Sequence, residues 1–164
     1  MLHKIILKIV FCISLGFAPI LLIAQSFTAE DLIKAYTSHS DSTKLLCFTK
    51  NYSLKDSTFI NNVKDYIFES STPDKLRFTA SFPGDNESSA TSVNYWLKKK
   101  SELKNLKKSF TNFGFEFVGS KDLHTPGNTV MDRYIKDNIQ IEIISSTANP
   151  PYWIIVHSKG KYVW

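Results

Sequence analysis

The side chains in this sequence best suited to chemistry are His3, His39, His124 and His157, the thiols of Cys12 and Cys47, and the short run Ser38-His39-Ser40-Asp41. Ser38, His39 and Asp41 have the letters of a hydrolytic triad. A triad needs its groups to converge on one reacting atom, which neighbours in sequence rarely do, and these residue types are ordinary helix caps. His124 falls in the loop Asp122-Leu123-His124-Thr125-Pro126-Gly127, where a turn histidine is exposed by default. His157 lies in an apolar strand with Trp153 and Ile155, which makes it the better binding candidate. No two histidines have zinc-ligand spacing, no acidic cluster follows a calcium loop, and glycine-rich phosphate loops are absent. The sequence therefore implies no metal, no cofactor and no catalytic residue.

Cys47 sits in Leu45-Leu46-Cys47-Phe48, a run in which a thiol packs as a small core residue, with only Lys44 and Lys50 nearby to favour a thiolate. Cys12 belongs to a different kind of segment. Residues 1–24 have the basic start (Lys4, Lys8) and uncharged apolar stretch (Ile9 to Ala24) of an export signal, and no acidic residue precedes Glu30. A membrane-spanning helix needs about 20 consecutive apolar residues, whereas the stretch after Lys8 is shorter and is softened by Ser14, Gly16 and Pro19. The expectation is a signal peptide over 1–24, cut after Ala24 or Ser26, and a single exported domain over 25–164 in the periplasm or the extracellular space. Phe11 is the wrong neighbour for lipidation of Cys12. With Cys12 removed, Cys47 has no partner within the chain, so packing must hold the domain together.

The 20 basic and 15 acidic residues give a formal net charge of +5, from which the signal removes Lys4 and Lys8. Lys98, Lys99, Lys100, Lys104, Lys107 and Lys108 against Glu102 more than account for the rest. Such a distribution excludes a generally basic nucleic-acid binder and describes one basic helix on a near-neutral body. Lys100, Lys104, Lys107 and Lys108 are its candidate contacts for an anionic envelope component; as a plain solvated face they would oppose a buried stripe of Leu103, Leu106, Phe110 and Phe113.

These groups need elements to position them. Thr28 and Asp31 read as a capping box and Phe27 as its staple onto Leu32, opening a helix that buries Leu32, Ile33 and Tyr36. Ser38 to Ser42 ends that helix and caps a second, with Leu45, Phe48 and Tyr52 at helical spacing. Tyr66 and Phe68 lie on a strand, the segment Ser70 to Asp74 with Pro73 turns the chain, and Leu76, Phe78, Ala80 and Phe82 alternate with polar residues as a half-wet strand. A strand from Ser92 to Leu97 and the lysine-rich helix ending at Gly114 follow. Four more strands run from Phe115 to Val118, Val130 to Ile135, Ile139 to Ser145 and Tyr152 to His157. The expected fold class is α+β, an N-terminal helix pair and a central amphipathic lysine-rich helix packed on antiparallel sheet, in two unequal helix-plus-sheet units. The ending Tyr162-Val163-Trp164 has the aromatic character of an outer-membrane barrel terminus, a reading that the helical segments oppose.

In the last strands Ile139, Ile141 and Ile143 define an inward face, yet Ile144, Trp153 and Ile155 put apolar bulk on the other, near Met131 and Ile135. Two arrangements satisfy this pattern. Either helices cover one face and the other sheet unit covers the opposite one, or the second face meets a partner through Trp153, Ile155, His157 and Ile144. Asn51-Tyr52-Ser53 and Asn86-Glu87-Ser88 match a glycosylation acceptor, which has meaning only in a eukaryotic source.

The layout resembles small exported α+β proteins of unknown function from Gram-negative bacteria. The resemblance rests on Ala24-Gln25, Tyr95 to Leu97, the lysine-rich helix, Gly114-Phe115, Asp132-Arg133-Tyr134 and Ile139-Gln140-Ile141. It is more loosely similar to secreted β-lactamase-inhibitor proteins, in which helix pairs pack on antiparallel sheets. That family uses disulfides, so no inhibitory residue is carried over. The resulting expectation is an exported non-enzymatic module that binds another protein or an anionic envelope component. The alternative is a small envelope hydrolase, which requires a cleft joining His39, His124 or His157 to carboxylates.

Overall fold

The capping box at Thr28 forms as its residue types require: the Thr28 N–H donates to Asp31 Oδ2 at 2.8 Å and the Asp31 N–H to Thr28 Oγ1 at 3.2 Å. It starts helix α1 (Ala29–Thr37), and α2 (Ser40–Thr49) follows with His39 as its cap, the ring Nδ1 accepting from the Asp41 N–H at 3.2 Å. The computed structural model describes residues 25–71, 77–125, 128–146 and 151–160. The expected signal, the Pro73 turn with Leu76, and the Tyr162-Val163-Trp164 ending lie outside the described residues.

Beyond α2 come strands β1 (Tyr52–Ile60), β2 (Val63–Ser70), β3 (Arg77–Pro83) and β4 (Ser92–Leu97), then helix α3 (Lys100–Asn112). Strands β5 (Glu116–Asp122), β6 (Thr129–Lys136), β7 (Ile139–Ser146) and β8 (Tyr152–Ser158) complete the order. All eight strands join one antiparallel sheet in the order β1-β2-β3-β4-β8-β7-β6-β5, so the fold is α+β with sheet predominating. Helix α3 ends at Gly114 (φ 88), where the Phe115 N–H donates to the Phe110 carbonyl and the Gly114 N–H to the Thr111 carbonyl, each at 3.0 Å. The Phe110 and Phe115 rings, 5.9 Å apart, supply the apolar contact that accompanies such a cap.

Three expectations need correction. Tyr52 does not continue α2: Asn51 takes a left-handed φ of 62, ends the helix, and lets Tyr52 begin an unforeseen strand. Leu45 and Phe48 are accordingly 64% and 50% exposed, because α2 turns Ser40, Thr43 and Cys47 inward, with Thr43 Oγ1 donating to the Ala35 carbonyl at 3.1 Å. Phe113 leaves the buried stripe of α3 to become its C-cap and is 40% exposed. The two four-stranded halves also lie side by side through β4 and β8, so the second half does not cover the far face of the first.

One core unites the helical segments with one side of the sheet. The register sets Phe68, Phe78, Tyr95, Ile154 and Ile143 abreast across five strands, and these cluster with Leu32, Ala35, Cys47, Leu103, Leu106 and Phe110. Phe27 occupies the middle of this cluster, its ring stacked on Phe78 at 4.6 Å and 5.1 Å from both Tyr52 and Tyr95. No helix among the described residues is long and apolar enough to cross a membrane.

Truncating that ring removes its contacts with Tyr52, Phe78 and Tyr95 from the core. Phe27→Ala is expected to cost about 3–5 kcal/mol by urea denaturation. Leu45→Ala, on the exposed side of α2, is expected to stay within about 0.5 kcal/mol.

Candidate functional site

Strand alternation sends every second residue to the face opposite the core. There the register aligns Trp96 on β4 with Trp153 on β8, Ile144 on β7 and Met131 on β6. The two indoles stack at 5.7 Å with an interplanar angle of 9°, and the Arg77 guanidinium from β3 lies 5.8 Å from the Trp96 ring. Trp153 Nε1 donates to Asn94 Oδ1 at 3.1 Å, fixing the second ring. Both tryptophans and Ile155 are half-buried. Met131 is buried but stands outside the core that the helices share.

Beside this ladder lies a buried polar group. Glu142 Oε1 accepts from Gln140 Nε2 at 2.8 Å and has the Arg133 guanidinium at 3.7 Å, while its Oε2 faces His157 Nε2 at 3.7 Å. The other ring nitrogen, Nδ1, donates to the Ser158 carbonyl at 2.8 Å. Burial opposes ionisation of Glu142, yet His157, Gln140 and Arg133 together hold its carboxyl below the ordinary glutamate range. His157 is fully buried, so this His–carboxylate pair organises the sheet face from within.

Of the residues expected to bind, Trp153, Ile155, His157 and Ile144 do share one face; Trp153 and Ile144 are direct cross-strand neighbours. His157 contributes through Glu142 and not through exposed surface. Trp96, Arg77, Asn94 and Glu142 complete the face. Nothing local in the sequence marks them, because Asn94 and Trp153 meet across 59 positions.

The other chemistry-bearing residues lie elsewhere. Cys47 is buried, and that burial pushes its thiol far above the ordinary range. His124 is exposed in its loop. His39, Asp41, Lys44, Lys64, Tyr66 and Glu87 rim an open polar cup of about 400 Å³. Within it the Lys64 ammonium, 2.8 Å away, and the Tyr66 hydroxyl lower the Glu87 pKa to about 2. On α3, Lys107 is committed to the Asp132 carboxylate, whereas Lys100, Lys104 and Lys108 are exposed. Among the described residues no group of His, Cys, Asp and Glu side chains is placed to hold a metal.

The sheet edges offer little for strand addition. The β1–β2 register shifts between Leu54 and Asp56 and the β5–β6 register between Phe117 and Gly119, so bulges with nearby charges interrupt both outer strands. No protein-family model, curated protein or solved structure matches the chain.

A buried polar cluster that loses one member leaves the groups around it without their partner. His157→Leu and Glu142→Leu are each expected to destabilise the fold by about 3 kcal/mol, and the double variant by clearly less than the sum. Urea denaturation of the three variants measures the coupling.

Proposed function

We propose that this chain is an exported, non-enzymatic protein-interaction module whose partner docks on the sheet face around Trp96 and Trp153. In this reading residues 1–24 are the export signal and the working domain acts in the periplasm or outside the cell, as the resemblance to small exported α+β proteins implies. The domain then consists of two unequal helix-plus-sheet units, with the helices together on one side and the other side left for the partner.

The observation that carries the reading is the cross-strand ladder Arg77, Trp96, Trp153 and Ile144, half-buried or exposed on a face whose apolar residues the shared core does not use. Tryptophan and arginine dominate binding energy at protein interfaces, because each buries a large area while keeping a polar group for orientation. A hydrolase working through His157 would need the His157–Glu142 pair in contact with substrate, and that ring is fully buried.

Affinity capture from the envelope of the producing cell tests the proposal, with the exported chain, Trp96→Ala/Trp153→Ala and Arg77→Glu as baits. Arg77 is exposed, so its reversal leaves the core untouched. The wild-type chain should retain a discrete protein that the double variant recovers at least about tenfold less well, as expected for the loss of interface hot spots. Recovery of the same proteins by all three baits would contradict the assignment.

A further inference from the structure

Eight large apolar side chains are conspicuously exposed among the described residues; Phe113 is the C-cap of α3, and the other seven separate by place in the fold. Leu45, Phe48, Leu54, Phe59 and Ile60 belong to α2 and β1, among charges of both signs such as Asp41, Lys55 and Asp56. Phe117 and Val118, 55% and 57% exposed, stand on β5 at the opposite edge of the sheet, where the bulge parts them: Val118 lies with Met131 and Arg133 on the tryptophan face and Phe117 on the helix side.

Phe117 pairs with Tyr134, 5.3 Å between rings, and Tyr134 lies 6.2 Å from Phe110 of α3. One turn back on that helix, Lys107 holds Asp132 of β6, which also accepts from the Ser120 hydroxyl of β5. These contacts aim the Lys107 flank of α3 toward the β5 edge. Helical geometry puts Lys100, Lys104 and Lys108 on the same flank, four residues and about 6 Å apart along the axis. All three are exposed, and none has a carboxylate within ion-pair distance among the described residues.

We infer that this flank of α3, with Phe117 beside it, docks on the anionic surface of a lipid bilayer. The charge pattern selects that occupant. Three lysines on flexible stems form hydrated point charges with no arginine fork and no enclosing pocket, which suits a fluid layer of headgroups better than one shaped anion. The exposed Phe117 ring adds shallow insertion. Phe117 and α3 are on the helix side of the sheet, so docking leaves the tryptophan face free and the inference stands independently of the protein-interaction reading.

Vesicle co-sedimentation with the full chain provides the test, using phosphatidylcholine with and without phosphatidylglycerol. The apolar segment at 1–24 is common to every variant, so differences between variants report on the folded domain. Each lysine near an anionic surface contributes about 1 kcal/mol, so Lys100→Gln/Lys104→Gln/Lys108→Gln should weaken binding to anionic vesicles about 100-fold at low salt. The charge-matched Lys34→Gln/Lys55→Gln/Lys159→Gln variant, drawn from other surfaces, should stay within about threefold of the wild-type chain. Phe117→Ser should weaken binding while leaving its salt dependence intact. Equal losses from the two lysine sets, unchanged binding by the first set, or binding to soluble polyglutamate without vesicle association would each overturn the inference.

Discussion

Pairing of β4 with β8 is the constraint on which the rest of the molecule depends. Six residue pairs, from Ser92 opposite His157 to Leu97 opposite Tyr152, weld two four-stranded meanders into one sheet. On one side the seam carries the apolar row from Phe68 through Tyr95 to Ile143, so the helices find a continuous surface to cover. On the other it sets Trp96 against Trp153. A shift of one residue would exchange the two faces and bury the polar ladder where the core belongs.

The core side accounts for stability by ordinary means. Phe27 fills the space among Tyr52, Phe78 and Tyr95, and its capping box starts the first helix at the same point, so chain entry and core packing reinforce one another. The far side is built on different terms. Glu142 is kept charged under burial only because Gln140, Arg133 and His157 converge on it. Such a group contributes rigidity and orientation more than net stability, as suits the floor of the proposed recognition surface.

How much of this was readable in the sequence depended on how local the cause was. The capping box at Thr28, the glycine cap at Gly114 and the period change at Leu103, Leu106 and Phe110 are set within a few residues, and each formed where expected. Strand β1 was hidden because Tyr52 continues the spacing of Leu45 and Phe48, and only the left-handed Asn51 breaks it. The pair Asn61-Asn62, with φ of 51 and 61, was the overlooked hairpin signal for that strand. For the candidate site, Trp153, Ile155 and Ile144 were visible as surplus apolar bulk on a second face. Trp96 was not, because its strand reads the same whether β8 or another strand lies beside it. The role of His157 was likewise invisible, since Glu142 approaches it only through the β7–β8 pairing.

Two surfaces on opposite sides of one sheet thus divide the proposed work. The lysine flank of α3 would hold the domain against an anionic bilayer, and the tryptophan face would remain available to a protein. Everything turns on that face being open in the free chain and covered in the complex. Carbene footprinting of Trp96, Trp153 and Ile155, read by mass spectrometry on the free chain and on the chain with its captured partner, measures this directly. The account predicts ready labelling of all three side chains when free and marked protection when bound, with Leu45 and Phe48 labelled equally in both states. Absence of labelling in the free chain, or labelling that the partner leaves unchanged, would contradict it.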